Sequence, residues 1–324
     1  MIEFKPLTIE TKEIYTHYFS DSNERGCELS FANLNMWGTH QYAILHNNLV
    51  FFLRYDKRCL YSYPIGAGDK KATIDDIIAD AKERHISCRI IGLYGSADIS
   101  LEKLYPGKFS ISKDRDSYDY VYDINDLASL QGRKYHKKRT HYNKFCKSFP
   151  DYSVVPLTEN NINEIREMLD KWYHDRLTNN PDNDYYLEQE ALKKALLHYN
   201  DLNMEGLILL AHDNIRKTHD NIDNNNNNND TDNIFNKNHI LAVTLGSHLS
   251  NDTFDVHFEK ARWDVDGAYT VINNEFAKYI RDKYPHIKFL NREDDMGIEG
   301  LRKSKQSYYP HHMIEKSMAI LQEV

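Results

Sequence analysis

A dense group of charged residues follows a short apolar segment near the end of the chain. The segment Phe289–Pro310 reads FLNREDDMGIEGLRKSKQSYYP, and its apolar start predicts a strand that ends at Leu290. Because ligands bind at the carboxyl ends of strands in open α/β sheets, we predict a site here. Arginine forks suit carboxylate or phosphate, and carboxylates take protons or hold amines. The predicted catalytic residues are Arg292 and Glu293, and the predicted substrate-binding residues are Asp294, Arg302 and Lys305. The alternative is a solvated turn with surface ion pairs.

A second charged group lies on the segment Phe254–Lys260, FDVHFEK, in which polar and apolar residues alternate. Alternation predicts a strand with Asp255, His257 and Glu259 on one face. We predict that this strand and the one ending at Leu290 bring His257 and Glu259 close to the charged turn. There the pair would act as a base and its orienter. A metal pair of the H-x-E type is the alternative, but no third ligand stands at a recognisable spacing, so no metal is predicted.

The basic segment Gly132–Ser148, GRKYHKKRTHYNKFCKS, joins the two halves of the chain. It contains seven Lys and Arg residues and no acidic residue. On a helix its aromatic residues would share a packing face. Repeated like charges weaken a helix, so the cations favour an external phosphate, such as RNA, a nucleotide or a lipid head group. The predicted phosphate contacts are Arg133, Lys134, Lys138 and Arg139. Pairing with acidic residues of the protein itself is the alternative.

Length and charge limit the function classes. A chain of 324 residues suits two domains. A net charge of −8 means that any attraction for nucleic acid comes from a local patch. The four cysteines are scattered without a C-x-x-C pair, which is typical of reduced thiols. No apolar run approaches the roughly 20 residues that cross a bilayer. We therefore expect a cytoplasmic protein.

The order of predicted elements is nearly the same in the two halves. Each reads β-α-α-β-β-β-α-β-α-β, with one extra strand closing the first half. This order is similar to the acyl-CoA N-acyltransferase (GNAT) fold used twice, so the predicted class is α/β with mixed sheets. We predict a first domain at 1–125, a basic inter-domain helix at 126–150 and a second domain at 151–324. The Asn-rich stretch at 212–238 is predicted to be a disordered insertion between two strands.

Proteins that use coenzyme A have a glycine-rich loop after the fourth strand, and two segments of this chain are candidates for such a loop. In the second half, Ala261–Ala268 has one glycine and lacks the R/Q-x-x-G-x-G/A pattern. In the first half, Pro64–Asp69 is glycine-rich but lacks the leading Gln or Arg. Coenzyme A is therefore disfavoured in the second half and left open in the first.

Three blocks carry a resemblance to a known family: GRKYHKKRTHYNKF at 132–145, VHFEKA at 256–261 and LNREDDMGIEGLRKSKQSYYP at 290–310. With DYVYD at 119–123, they resemble a bacterial family of uncharacterised proteins of the DUF2156 type. That family is similar to the C-terminal domain of phosphatidylglycerol lysyltransferase. The resemblance implies a tandem acyltransferase fold, shared with peptidoglycan branching enzymes that use aminoacyl-tRNA.

The residues and the resemblance together predict an aminoacyl or acyl transferase that acts on an amine or hydroxyl acceptor. Aminoacyl-tRNA is the implied donor, and peripheral contact with lipid stays an option. The first alternative is an N-acetyltransferase that uses coenzyme A through the Pro64–Asp69 turn. The second is a noncatalytic protein that binds a nucleotide or RNA through the basic segment.

Overall fold

The computed structural model describes residues 1–19, 26–55, 58–179, 183–212 and 240–322. The chain forms two compact units. Unit 1 consists of Met1–Tyr122, His248–Asp255 and Asn291–Val324, and unit 2 consists of Asp123–Ser247 and Val256–Leu290. The predicted disordered insertion at 212–238 lies outside the described residues except for its first position. The predicted domain limits at 1–125, 126–150 and 151–324 stay a prediction.

Both halves of the chain have the same order of elements. The first contains β1 (Lys5–Pro6), α1 (Lys12–Phe19), α2 (Phe31–Met36), β2 (Gln41–Leu45), β3 (Asn48–Tyr55), β4 (Arg58–Ser62), α3 (Lys70–Glu83), β5 (Arg89–Leu93), α4 (Ala97–Leu104), β6 (Phe109–Lys113) and β7 (Asp119–Asp123). Two linking helices follow, α5 (Ile124–Ser129) and α6 (His136–Ser148). The second contains β8 (Ser153–Pro156), α7 (Ile162–Asn179), α8 (Asn183–Leu197), β9 (Glu205–Leu210), β10 (Ile240–His248), β11 (Thr253–Ala261), α9 (Ala268–Lys283), β12 (Phe289–Asn291), α10 (Glu299–Gln306), β13 (His312–Ile314) and β14 (Ser317–Leu321). Within the described ranges, no helix has the length and apolar character needed to span a membrane.

The predicted repeat is confirmed in its order, but its ending is wrong. The sequence predicted one closing strand in the second half, whereas β13 and β14 match the pair β6 and β7 of the first. The run SMAIL that forms β14 has only five residues, and a run this short shows no usable periodicity. Helix α5 was also not predicted.

The last strand of each half lies in the sheet built by the other half. The first sheet has the order β1-β2-β3-β4-β5-β14-β6, and the second has the order β13-β7-β12-β11-β10-β9-β8. Strand β14 pairs antiparallel with both β5 and β6, while β4 and β5 are parallel. These mixed sheets confirm the predicted α/β class, with the closing strands β7 and β14 exchanged.

Strand β3 shows why the first sheet is buried on both faces. Val50 and Phe52 belong to a core with Ile74 and Ile77 of α3. Phe51, which points to the other face, stacks with Phe19 of α1 at a centroid distance of 6.4 Å. Because side chains alternate along a strand, one apolar run packs against helices on both sides.

The basic helix of unit 2 packs through its aromatic residues, as the sequence predicted. Tyr135 and Phe145 are fully buried. Tyr142 donates a hydrogen bond to Glu275 of α9 at 2.8 Å. The neighbouring helix α5 is held by Asn274, which donates to the carbonyls of Leu127 and Ala128 at 2.6 and 2.9 Å. The linking helices are therefore fixed to α9.

The β2–β3 hairpin turn supports the loop that precedes α3. The two turn residues are His46 and Asn47, both with positive φ. Asn48 instead faces inward, where its Oδ1 accepts from the amide of Gly68 at 3.1 Å. A methyl group on Gly68 would overlap the carbonyl oxygen of His46. The glycine is therefore required by close backbone approach.

Replacing Gly68 with Ala is expected to lower the free energy of unfolding by about 1–3 kcal/mol, because backbone must move to admit the methyl group. Gly300→Ala is the control, since no atom lies within 4 Å of the added carbon in α10. This control should be neutral or slightly stabilising. Urea denaturation of both variants checks the expectation, and equal midpoints would contradict the tight packing of the loop.

Candidate functional site

The charged turn after β12 has an unusual backbone that two α10 cations hold in place. Glu293 has φ of 56° and Met296 has φ of 49°, values that L residues adopt at a cost. The ammonium of Lys305 is buried and donates to the carbonyls of Arg292 and Asp294. Lys305 thus satisfies the hydrogen-bonding capacity of two backbone carbonyls that the turn directs inward.

Arg302 supports the same turn through Asp295. Its Nε and Nη2 donate to the two carboxylate oxygens of Asp295 at 2.9 and 2.7 Å, and Nη2 also bonds Asp116 at 2.6 Å. The hydrogen bonds from Arg302 hold the pKa of Asp295 well below its usual range, and Tyr120 donates to the same carboxylate. The observed contacts of Arg302 and Lys305 are therefore within the protein, and their contact with substrate stays a prediction.

Arg292 lies between two tyrosine rings of unit 1. Its guanidinium carbon is 4.9 Å from the ring centroid of Tyr308 and 5.7 Å from that of Tyr122. Tyr122 also donates to the carbonyl of Lys305 at 2.8 Å. The two rings are nearly perpendicular to each other, so these cation–π contacts restrict the position of the guanidinium from two sides. An arginine fork is suited to bind carboxylate or phosphate bidentately.

A buried ion pair lies beside this turn. Asp119, the first residue of β7, is fully buried and has an ion pair with Lys316 at 2.5 Å. The same carboxylate accepts from the backbone amide of Cys27 at 2.8 Å and from Asn291 at 2.9 Å. The Cys27 thiol lies 3.3 Å from Asp119. Burial and the Asp119 charge raise the pKa of this thiol well above its usual value, so Cys27 stays protonated.

Lys316 occupies the centre of a group of potential metal ligands. Ligand atoms of Cys27, Glu28 and Asp119 lie within 4.8 Å of one another. The Lys316 ammonium, however, is 2.7 Å from Glu28 and 3.5 Å from the Cys27 sulfur. Burial alone would lower the pKa of Lys316, but the carboxylates around it raise that pKa well above its usual value. The lysine therefore supplies the positive charge of this group.

Carboxyl groups outnumber cations in this part of unit 1. We call Glu28, Asp119, Asp255, Glu293 and Asp294 the acidic cluster; the cations that act on it are Arg292, Lys305 and Lys316. Burial and the neighbouring carboxylates raise the pKa of Asp255 well above its usual value and that of Asp294 to about 6. A carboxyl group that titrates near neutral pH suits proton transfer or the binding of an added ammonium.

Glu293 is positioned by two asparagines of unit 1. Its carboxylate accepts from Asn33 Nδ2 at 2.9 Å, and its backbone amide donates to Asn291 Oδ1 at 2.7 Å. Asn33 also donates to the carbonyl of Cys27 at 2.9 Å. The predicted catalytic carboxylate is thus held by the same residues that surround Asp119.

The predicted pair on β11 belongs to unit 2. His257 is buried and its Nε2 lies 2.9 Å from Ser247 Oγ. Glu259 accepts from Asn273 Nδ2 at 3.0 Å. Each residue has a fixed polar partner within its own unit. Their predicted proximity to Arg292 and Glu293, and their catalytic roles, stay predictions.

The cations of the basic segment divide into two groups. Lys134 pairs with Asp126 at 2.7 Å, and Arg139 donates to the carbonyls of Leu130 and Gly132; Lys138 is half-buried. Arg133 and Lys134 are exposed, whereas Arg139, like Lys138, is half-buried. The phosphate-binding role of all four residues stays a prediction.

Other groups of the protein contact both of the loops that could bind coenzyme A. In the first half, the Lys70 ammonium donates to the carbonyls of Pro64 and Gly66 at 2.7 and 2.5 Å, and the Asp69 amide donates to the His46 carbonyl at 3.2 Å. In the second half, Gly267 packs against the carbonyl of His141 in α6. A pyrophosphate needs free backbone amides, and in the first half the amides of Gly68 and Asp69 bond oxygens of the protein instead. The coenzyme A alternative stays a prediction.

Comparison with known proteins identifies the family. The family model for the C-terminal region of phosphatidylglycerol lysyltransferase matches residues 19–320. The chain belongs to this phosphatidylglycerol lysyltransferase C-terminal family. The sequence matched no curated protein.

Solved structures agree with this family and with its fold. A conserved protein of unknown function from Bacteroides thetaiotaomicron is 34% identical, with a TM-score of 0.85 over 99% of this chain and 100% of the other. L-PGS from Bacillus licheniformis is 12% identical, with a TM-score of 0.59 over 96% and 92% of the two chains. A tandem GNAT protein from the clavulanic acid biosynthesis pathway is 6% identical, with a TM-score of 0.52 over 99% of each. The last two likenesses confirm the predicted tandem GNAT-like fold.

Sequence reasoning missed Glu28 and Asp119 of the acidic cluster, together with the neighbouring residues Cys27 and Lys316. Cys27, Glu28 and Lys316 carried no local signal, because each is one charged or polar residue in an ordinary context. Asp119 did have a signal, since DYVYD at 119–123 was among the blocks of the family resemblance. A carboxylate at the start of an otherwise apolar strand could have marked it as a buried, paired group.

Lys316→Met is expected to lower the free energy of unfolding by about 3–5 kcal/mol, because it leaves the Asp119 charge buried without its cation. The control is Lys113→Ala, which removes the exposed ion pair between Lys113 of β6 and Glu315, the residue before Lys316. This control should leave the denaturation midpoint nearly unchanged. The double variant Asp119→Asn/Lys316→Met should lose less than the sum of its parts, and strict additivity would contradict a direct pair.

Asp294→Asn is expected to change the pH dependence of stability. The folded-state pKa of about 6 lies above the unfolded value of about 3.9. Between these values the native state binds more protons, so the wild type loses stability as pH rises through this window. The variant should therefore be more stable than the wild type by about 2–3 kcal/mol above pH 6 and nearly equal to it at low pH. Thermal melts across pH test this, with the exposed Glu299→Gln as control; a constant difference would contradict the assignment.

Proposed function

We propose that the protein is an aminoacyltransferase that takes its donor from aminoacyl-tRNA and transfers the aminoacyl group to an amine or hydroxyl acceptor. The observation that carries this proposal is the family match over residues 19–320. The named enzyme of that family, phosphatidylglycerol lysyltransferase, is by its name a transferase of lysyl groups.

The acidic cluster supports an aminoacyl donor by its charge. An aminoacyl ester carries a free ammonium, and the cluster holds more carboxyl groups than cations. Binding of an ammonium beside Glu293 and Asp294 would favour the charged form of Asp294 and recover part of its burial cost. An acetyl donor has no ammonium, so the cluster would keep its excess of carboxyl groups over cations.

In the proposed reaction the nucleophilic nitrogen or oxygen of the acceptor attacks the ester carbonyl, and the bond to the ribose oxygen of tRNA breaks. Glu293 holds the donor ammonium. Asp294, whose pKa is raised to about 6, is suited to accept the proton that the acceptor loses and to pass it to the departing ribose oxygen. Arg292, fixed between Tyr122 and Tyr308, would stabilise the developing oxyanion.

Incubation of the protein with charged bulk tRNA tests the proposal. Loss of ester-linked amino acid and formation of a stable acyl product are measured with amine and hydroxyl acceptors, including phosphatidylglycerol vesicles. Glu293→Gln should lower kcat/KM by about ten- to hundredfold, because one charge-assisted contact to the ammonium is lost. Glu299→Gln, which is exposed on α10, is the matched control and should not change the rate.

Two outcomes would overturn the proposal. Release of free coenzyme A from acetyl-CoA with the same acceptors would assign an acetyl donor. RNA binding without turnover on the whole acceptor panel would assign a noncatalytic binding role.

A further inference from the structure

Trp263 lies at the tip of the turn between β11 and α9 and is 83% exposed. Tryptophan side chains are highly buried on average in folded proteins. The turn that carries it is well ordered by its flanking residues. Arg262 donates to both carboxylate oxygens of Asp264 at 3.0 and 2.6 Å, and the Val265 amide donates back to the Arg262 carbonyl. The ring is therefore presented on a fixed support.

This turn is fastened to the basic helix of the same unit. Asp266 pairs with Lys144 at 2.6 Å and with His141 at 3.0 Å, both in α6. Trp263 precedes Asp266 by three residues, which span at most about 11 Å between Cα atoms. The backbone of Trp263 therefore lies within about 11 Å of a residue that contacts α6.

Basic side chains form a row on the exposed surface of α6 and of the single helical turn before it. Arg133 lies in that turn, and Lys137, His141 and Lys144 of α6 follow it at intervals of three or four residues, so we call these four residues the basic stripe. All four are exposed, and among the described residues no hydrogen bond or ion pair involves the side chain of Arg133 or Lys137. Successive members lie about 5–6 Å apart, comparable to successive phosphates of one nucleic acid strand.

We propose that the basic stripe and Trp263 together bind a single-stranded RNA end, with phosphates along the stripe and one base stacked on the indole. The inference rests on the proposed function, since the donor there is a tRNA. A row of cations that ends at an aromatic face is the arrangement by which proteins hold single strands. The exposed positions of α6 bear no large apolar side chain, whereas a helix that enters a bilayer surface needs an apolar face.

The probe is an RNA hairpin that ends in a single-stranded 3′ ACCA overhang, compared with the same hairpin made blunt. Binding is measured by fluorescence anisotropy over a series of salt concentrations. The wild type should prefer the overhang. Trp263→Ala should weaken binding of the overhang about tenfold, remove the preference and leave the salt dependence unchanged, because no charge is lost.

Arg133→Ala/Lys137→Ala should act on the other component of binding. The slope of log K against log salt should fall by about 0.7 for each phosphate contact that is lost, while the preference for the overhang remains. Lys103→Ala/Lys108→Ala is the control, because it removes two exposed lysines of unit 1 with the same change in net charge. The control should match the wild type.

Three results would overturn the inference: an unchanged affinity in Trp263→Ala, an equal loss in the lysine control, or binding of the wild type to phosphatidylglycerol vesicles but not to RNA. The two proposals fail separately. Aminoacyl transfer with unchanged kcat/KM in Trp263→Ala would remove this inference and keep the proposed function. Preference for the overhang without any transfer would support this inference and contradict the proposed function.

Discussion

The buried ion pair between Asp119 and Lys316 is the contact on which unit 1 depends. Asp119 begins β7 and Lys316 immediately precedes β14, so the pair joins the entry points of the two exchanged strands. A buried pair contributes less net stability than its short distance implies, since both ions lose their hydration. Its stronger effect is on specificity: with either strand out of register, one buried charge would lose its partner.

The same pair sets the electrostatics of the acidic cluster. Lys316 lowers the pKa of Asp294, whereas Asp119 raises it, and burial dominates both effects. The pKa of Asp294 in the cluster is therefore set in part by two groups whose positions follow from strand exchange. The cations of α10 act on the backbone instead. Lys305 donates to the carbonyls of Arg292 and Asp294, and Arg302 binds Asp295, so together they fix the backbone around Glu293. A turn with positive φ at Glu293 is maintained by these bonds, at a cost in stability that functional sites commonly carry.

The sequence alone predicted what local patterns encode. Strand β11 was predicted from the alternation in FDVHFEK, and helix α6 from its periodicity. The charged turn was predicted from the residues that follow β12. Each of these patterns depends on neighbours along the chain. The directions taken by Arg302 and Lys305 could not be predicted, since a charge pattern does not say whether a cation faces inward. Asp119 and Lys316 were missed for a related reason: their meaning arises from pairing between distant strands. The exposure of Trp263 likewise depends on the turn that presents it.

Strand exchange also determines when the protein can mature during its synthesis. Strand β14 lies between β5 and β6, yet it follows every other described strand along the chain. Until then the facing edges of β5 and β6 lack their partner, and open edges are sites of unwanted pairing between chains. Pairings between distant parts of a chain also form slowly. The first half therefore reaches its final sheet only after β14 has been synthesised, which ties completion of the acidic cluster to the emergence of Lys316.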